Sequence, residues 1–454
     1  MSSIQLTDLV RIESEFYTAP SFNLFNPFYG EEIIDFVQYG TSKELNEESH
    51  GFPVLRLNEF DSSFITKPAK YCSKIDQDTF ESLKLNKDDV LICRTNGNYK
   101  YVGKSAIVPD NYEYAYASYL FKIRPKRKFI TSSLLVAYLN SKYGRMEIEK
   151  YSMASNQVNF SPAKFRQLRI PRFSIKINSL VESLTYTSYD LLIKSKKLYQ
   201  DAENLLLYEI NMKDFALNRD SINVKYFSKS FGINTRLDAE YYQPKYESYI
   251  RIIENYPNGY NSLKNCCEIK LKNFQPYKGE EYRYIELSNI DKTGGVRGCT
   301  VDFGENLPSR ARRLVKTNDI IISSIEGSLD SCALIPEEFN NSLCSTGFYV
   351  INSSELNSAT LLVLFKSELM QNILKQNCSG TILTAINKNE FLDIIIPIIK
   401  EEAQTQIEVS IKESFSLKKQ SKHLLEVAKR AVEIAIEESE EVALKYIEEN
   451  SSLE

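Results

Sequence analysis

The heptapeptide Arg236-Leu237-Asp238-Ala239-Glu240-Tyr241-Tyr242 repeats a pattern laid down 225 residues earlier as Arg11-Ile12-Glu13-Ser14-Glu15-Phe16-Tyr17. Arg, Glu and Tyr recur unchanged and the other positions are conservative swaps. A period this long constrains the fold more than any composition does, because the chain must then be built twice on one plan. The match continues in order. Leu55-Arg56-Leu57-Asn58 answers to Ile285-Glu286-Leu287-Ser288, and Asp89-Val90-Leu91-Ile92 to Asp319-Ile320-Ile321-Ile322, both at an offset of 230. Leu134-Leu135-Val136 aligns with Leu361-Leu362-Val363 at 227; Phe165, Ile170-Pro171, Ser195-Lys196, Leu198 and Ala202 align with Phe391, Ile396-Pro397, Ser421-Lys422, Leu424 and Ala428 at 226. A slowly drifting offset that keeps its order marks a tandem pair of modules of about 220 residues.

Within the first module, Pro20 to Tyr29 is rich in Pro, Asn and aromatics, and the Gly- and charge-rich run to His50 reads as loop. Short β-branched or aromatic runs at Phe52–Asn58, Asp89–Arg94, Gly103–Val108 and Tyr116–Ile123 read as strands. Ser132–Glu149 carries Leu135, Val136, Leu139, Tyr143 and Met146 at helical spacing. Leu168–Pro171 reads as a further strand or its exit, so each module is expected to be α+β.

Past Pro171 the texture changes. Ile177, Leu184, Leu191, Leu198, Leu205 and Met212 recur every seven residues beside a row of small residues, Ser188, Ser195 and Ala202. In the second copy Leu417, Leu424 and Ala431 form the equivalent row, next to Ser414, Ser421, Ala428 and Ala435. A narrow apolar seam flanked by small residues predicts two long helices packed closely together, as an antiparallel coiled coil if a direct repeat is to pair with itself. The expected layout is a recognition module at 1–173, a helix at 174–216, a second module at 217–399, a helix at 400–449 and a tail at 450–454. A direct repeat so paired is pseudo-twofold. At 1.5 Å per residue the stretch from Ile175 to Met212 spans about 57 Å, a ruler between two readers. Duplex DNA repeats its groove every ~34 Å and two-fold proteins read half-sites at a spacing set by the protein, so this geometry fits a split DNA sequence.

Net charge is −4, but from Lys400 onward 8 basic residues face 13 acidic ones, which leaves the remainder near neutral with local basic runs. Those runs are Arg124-Pro125-Lys126-Arg127-Lys128 in the first copy and Arg310-Ala311-Arg312-Arg313-Leu314-Val315-Lys316 in the second, and they are expected to occupy corresponding places. No segment has the length and apolarity of a membrane helix, and the start lacks a signal-peptide pattern, so a cytoplasmic location is expected. Eight cysteines without CxxC spacing and two histidines argue against zinc and for reduced thiols.

Chemistry is sparse. Asn26-Pro27-Phe28-Tyr29 approaches the Asn-Pro-Pro-Tyr/Phe loop of amino-methyltransferases, yet lacks its second proline and any preceding Gly-rich cofactor loop. Asp238 with Glu268-Ile269-Lys270 has the residue types of a metal-dependent nuclease, but the first copy has no counterpart. No phosphate-cradling glycine loop and no nucleophilic triad are visible. Binding loops are better supported. Arg94, Asn96, Asn98, Lys100 and Lys104 lie on one loop between two strands, and combine the side chains that bond base edges and phosphates. Asn156 and Gln157 lie on a second loop. Ser323, Ser324 and Ser328 occupy the matching loop of the second copy with different chemistry, and Arg297 with Arg310, Arg312 and Arg313 supplies its positive charge. Different loops on matching scaffolds would read different bases.

Arg236 to Pro244, the Asp319–Ser323 strand, Cys378-Ser379-Gly380-Thr381 and Phe391–Pro397 leading into a long helix together resemble the specificity subunit of Type I restriction-modification systems. The resemblance covers nearly the whole chain and rests on order more than on any one motif. It implies a non-catalytic subunit with two target recognition domains, each followed by a spacer helix, that reads a bipartite asymmetric site in double-stranded DNA. It also implies two methyltransferase partners, which supply S-adenosylmethionine binding and adenine N6 methylation, and optionally two restriction subunits that use ATP and Mg. The chain itself would hold no cofactor. A methylation-only or Type II-like system, a standalone DNA-cutting enzyme and a protein-binding helical adaptor are the alternatives.

Overall fold

The computed structural model describes residues 22, 24–152, 158–213, 215, 220, 222–231, 236–380 and 384–452. The first copy of the opening motif, Arg11–Tyr17, lies outside the described residues. By contact the chain divides into Met1–Ile193 with Leu417–Glu454, and Lys194–Ser416. The central helix, Ile175–Glu209, and the C-terminal helix, Glu401–Glu437, each contribute a stretch to both units.

In the first unit a six-stranded sheet runs in the order Ile34–Tyr39, Leu120–Pro125, Val90–Cys93, Ser105–Ile107, Phe64–Ile65, Phe60–Asp61. Val90–Cys93 is buried throughout, as an unbroken apolar run should be. Alternate side chains point to opposite faces. Val90 and Ile92 join Leu134, Leu135 and Leu139 of the following helix in one core, while Leu91 and Cys93 join Val54, Leu55 and Tyr116 in another. The latter belong to a three-stranded sheet in which Phe52–Leu55 runs parallel to Ala115–Tyr116.

The second unit repeats the plan. Cys267–Ile269, Phe348–Ser353, Ile320–Ser323 and Cys332–Leu334 form its main sheet. Ile320 and Ile322 face the helical side with Leu361 and Leu362, and Ile321 faces Ile285 and Cys344. Glu281–Ile285 runs parallel to Leu343–Ser345, as Phe52–Leu55 does to its partner. A buried aspartate opens the central strand in both units. Asp89 accepts from the Asn86 amide at 2.9 Å and from Arg124 Nε at 2.8 Å; Asp319 accepts from the Lys316 amide at 2.8 Å and from Lys270 Nζ at 2.7 Å.

Several expectations need correction. Ile34–Tyr39 is a strand, not loop; it is an edge strand with only Ile34 fully buried, so its apolar alternation is weak. The helix expected over Ser132–Glu149 is two helices, Ser132–Asn140 and Lys142–Ser152. Ser141 between them donates to Tyr138 O at 2.6 Å and accepts from the Gly144 amide at 3.2 Å. A hydroxyl that satisfies both helix ends competes with helix continuation. The C-terminal helix stops at Glu437, and a separate helix, Glu440–Asn450, starts from Ser439, whose hydroxyl accepts from the Val442 amide.

Each unit contains its own section of the helix pair. In the first, Ser188 Oγ donates to Ser421 O at 2.8 Å and sits 2.9 Å from Ser421 Oγ, and the Ser174 amide donates to Glu440 at 2.7 Å, so the two stretches run antiparallel. In the second, Ser195 Oγ donates to Ser414 O and Ser414 Oγ to Ser195 O, both at 2.8 Å, and Lys400 meets Glu209 at 3.2 Å, again antiparallel. Ile177, Leu184, Leu417, Leu424 and Ala428 are buried, and all but Leu417 belong to the core cluster of the first unit. Leu191, Leu198 and Leu205 are only half-buried; Leu192, Tyr199 and Leu206 are buried in their place. A straight helix drifts ~20° per heptad against a seven-residue repeat, which carries the leucine row off the axis, and the serine row at Ser188 and Ser195 takes the centre.

Candidate nucleic-acid interface

The main sheet of the first unit has two ends of different character. Leu120–Pro125 pairs with Val90–Cys93 so that Leu120 faces Cys93 and Ile123 faces Val90. Arg94 therefore lies at one end and Arg124 at the other, five residues or ~17 Å away at strand rise. Arg124 is taken up by Asp89 and lies over the Phe36 ring at 4.8 Å. Arg127 pairs with Glu182 of the central helix at 2.6 Å. Both candidates thus sit in intramolecular ion pairs at the end remote from the loop. The run they belong to also does not correspond to Arg310–Lys316: its strand is equivalent to Phe348–Ser353, whereas Ala311–Leu314 pairs with Leu343–Ser345 in the second sheet.

At the other end, two loops that are distant in sequence meet. The Arg94 amide donates to Tyr119 O at 2.8 Å, and Arg94 O accepts from the Phe160 amide at 2.8 Å; Thr95 bridges Asn159. The loop carrying Asn96 and Asn98 is thereby fixed against the segment that follows Asn156 and Gln157, which themselves lie outside the described residues. Asn96 Oδ1 accepts from the Asn98 amide and Asn98 Oδ1 from the Lys100 amide, at 2.9 and 3.1 Å, an Asx-turn pair that shapes the tip. Gly103, at φ +80°, closes the loop against Ile148, whose Cγ2 would lie 2.5 Å from an added Cβ; no other residue fits there.

The loop borders a cleft of about 710 Å³ lined by Arg56, Asn58, Thr95, Asn96, Tyr99 and Tyr119 among others. Arg94 lies over the Tyr39 ring at 5.3 Å, and its Nε is buried without a hydrogen-bond partner. Lys100 is exposed at the tip, while Lys104 lines a different cleft with Lys422 and Glu426. Burial pushes the Cys93 thiol up to about 11, so it stays protonated, and raises the Tyr119 phenol. Arg56, Asn58 and Tyr119 were not singled out from the sequence; for Arg56 and Asn58 the signal was the repeat match at Leu55–Asn58, polar side chains emerging where a strand ends, and Tyr119 had none.

The second unit joins its loops with the same bonds. The Ser324 amide donates to Gly347 O at 2.9 Å, Ser324 O accepts from the Ile386 amide at 2.8 Å, and Ile325 bridges Ala385. Ser323 Oγ and Ser328 Oγ are 2.8 Å apart, so these hydroxyls brace the loop. Arg310 is exposed, and its carbonyl accepts from the Thr346 amide at 2.8 Å, beside Gly347. Arg297 is exposed. Arg312 is held by Ser309 O at 3.1 Å and by Gln275, and Arg313 keeps Nε and Nη1 buried without hydrogen-bond partners. Arg236 of the repeated opening motif donates to Cys378 O at 2.8 Å and to Asp238 at 2.6 Å, and reaches Glu390 at 3.3 Å. It anchors the Cys378–Gly380 segment. With Asp238 on Arg236 and Lys270 on Asp319, the nuclease-like residue types are engaged elsewhere. Among the described residues no group of three metal-ligating side chains occurs, and no helix is long and apolar enough to cross a membrane.

No protein-family model matches the chain. Over 145 residues it is 28% identical to the StySPI Type I restriction enzyme specificity subunit of Salmonella potsdam, covering 31% of this chain and 30% of that protein. Over 91 residues it is 31% identical to the EcoKI specificity subunit of Escherichia coli K12, covering 20% and 19%. The chain thus spans less than a third of the length of these curated relatives. Among solved structures, the S subunit from M. genitalium matches at 13% identity over 94% of this chain and 98% of that one, with a TM-score of 0.39. The HsdS subunit from Thermoanaerobacter tengcongensis matches at 13% over 92% and 97%, with a TM-score of 0.29.

Proposed function

We propose that this chain, whose curated relatives are specificity subunits of Type I restriction enzymes, is the DNA-recognition subunit of such a system and reads a bipartite, asymmetric duplex site. The observation that carries the reading is the pair of loops latched together at the end of the main sheet in both units. The latching main-chain bonds are the same, and the side chains they present differ. One scaffold with two chemistries is what an asymmetric split site asks of its reader. Each unit takes one half-site, and the helices set the spacing between them.

The chain itself does no chemistry in this proposal. Two methyltransferase subunits bring S-adenosylmethionine and methylate adenine N6, and in a restricting complex ATP- and Mg-dependent subunits join them. Its place of work is the cytoplasm, where the chromosome is. The test is long-read methylation mapping of a host expressing the chain with its methyltransferase subunit, against the methyltransferase alone. A split adenine-methylated motif that requires this chain supports the proposal; no new motif from a complex shown to assemble refutes it.

A further inference from the structure

The two units place opposite charges at one equivalent position of the recognition surface. Arg56 follows the strand Phe52–Leu55 and caps the turn Leu57–Glu59; its amide donates to Glu59 Oε2 at 2.7 Å. Glu286 follows Glu281–Ile285 and caps the turn Leu287–Asn289; its amide donates to Asn289 Oδ1 at 2.9 Å. Both preceding strands run parallel to the strand entering the turn at Tyr119 or Gly347. The local frame is the same and the side chain is inverted.

Arg56 lines the cleft described above. Its Nη2 donates to Oε1 of the buried Glu59 at 2.9 Å, and its Nε is itself buried without a hydrogen-bond partner, so the donors left for a ligand are on the two Nη groups. A guanidinium has five N–H donors in a rigid fork, so one carboxylate bond orients this group and leaves donors over. Asn58 and Asn96 line the same cleft. In the other unit Glu286 is exposed, and one of its oxygens accepts from Ser288 Oγ at 2.8 Å, which leaves the second oxygen as an acceptor.

We infer that the residue capping this turn selects a base in each half-site: Arg56 selects guanine, and Glu286 selects cytosine. An arginine fork matches the O6 and N7 acceptors of guanine in the major groove, and a carboxylate accepts from cytosine N4. Glu59 is a positioning residue that holds the fork without touching DNA. The inference rests on the DNA-recognition reading and adds which position of each unit discriminates.

The test is selection from a randomised duplex library by the full chain in complex with its methyltransferase subunits. Wild type is expected to enrich a split motif. Arg56→Gln should lose the guanine requirement at one position of one half, by about 10- to 100-fold, with the other half unchanged. Arg56→Lys, which keeps the charge and loses the fork, should lose that requirement and keep non-specific affinity. Glu286→Gln should relax one position of the opposite half. An unchanged motif in Arg56→Gln overturns the inference. So does a uniform weakening across all sequences with a shallower salt dependence, the mark of a phosphate contact. Duplex binding by the wild-type complex with no enriched motif overturns the recognition reading itself, and the inference with it.

Discussion

Ser188 and Ser421 offer a measurement of what fixes the helix pair. Both are buried, at 0% and 3% exposure. Ser188 Oγ has one proton, which goes to Ser421 O at 2.8 Å, and the 2.9 Å contact between the hydroxyls leaves Ser421 Oγ as donor to Ser188 Oγ. The two substitutions are therefore unequal. Ser421→Ala removes one bond, and Ser188 still has its carbonyl, so the loss should be about 0.5–1.5 kcal/mol. Ser188→Ala removes both bonds and strands the Ser421 hydroxyl in a dry seam, with a loss of about 1–3 kcal/mol. The double variant strands nothing, and should be no less stable than Ser188→Ala alone. At roughly 2–4 °C per kcal/mol for a unit of this size, scanning calorimetry resolves the series. Ser195 and Ser414 provide the control, since each donates to the other's carbonyl at 2.8 Å. Removing either leaves the other bonded to its carbonyl, so the two single effects should be about equal there. Equal single effects that also sum at Ser188 and Ser421 would refute the donor assignment.

Three further outcomes follow from the geometry. Asp89→Ala should destabilise the first unit by about 3 kcal/mol, since it leaves Lys122, 2% exposed, without its carboxylate neighbour; a loss below ~1 kcal/mol in urea unfolding would contradict this. Arg94→Ala should weaken duplex binding in a salt titration by fluorescence anisotropy, whereas Arg127→Gln, whose parent side chain is held by Glu182, should change neither affinity nor slope; the reverse ranking would move the interface to the other end of the sheet. Shortening both long helices by a matched number of turns should change the tolerated separation of half-sites in methylation mapping, and an unchanged separation would remove the helices as the ruler.

The sequence made some of this legible for physical reasons. The repeat exposed the two-module plan, because equivalent strands need equivalent apolar runs: Val90–Cys93 and Ile320–Ser323 are buried throughout. The long helices were visible in their seven-residue rows, but rotation about the helix axis was not. A leucine row and a serine row one position class apart differ only in which faces the partner, and the serines won because their hydroxyls bond across the seam. Ile34–Tyr39 was missed because an edge strand alternates weakly. The basic runs misled most, since counting charge cannot show that Asp89 and Glu182, remote in sequence, already hold Arg124 and Arg127. At the candidate site the Arg94 loop was legible as a strand-to-strand connection, whereas Arg56 and Asn58 needed the fold to bring them beside it.

The bonds that join the two loops of each unit run from main chain to main chain: Phe160 to Arg94 and Arg94 to Tyr119, Ile386 to Ser324 and Ser324 to Gly347. Such a clasp is indifferent to the side chains it displays. On the proposed DNA-reading role, inherited changes at the tips would rewrite the address without loosening the hinge plate on which it is written, provided both loops keep their backbone paths. A transplanted address would have to travel as the pair, because either loop moved alone would leave half of each clasp behind.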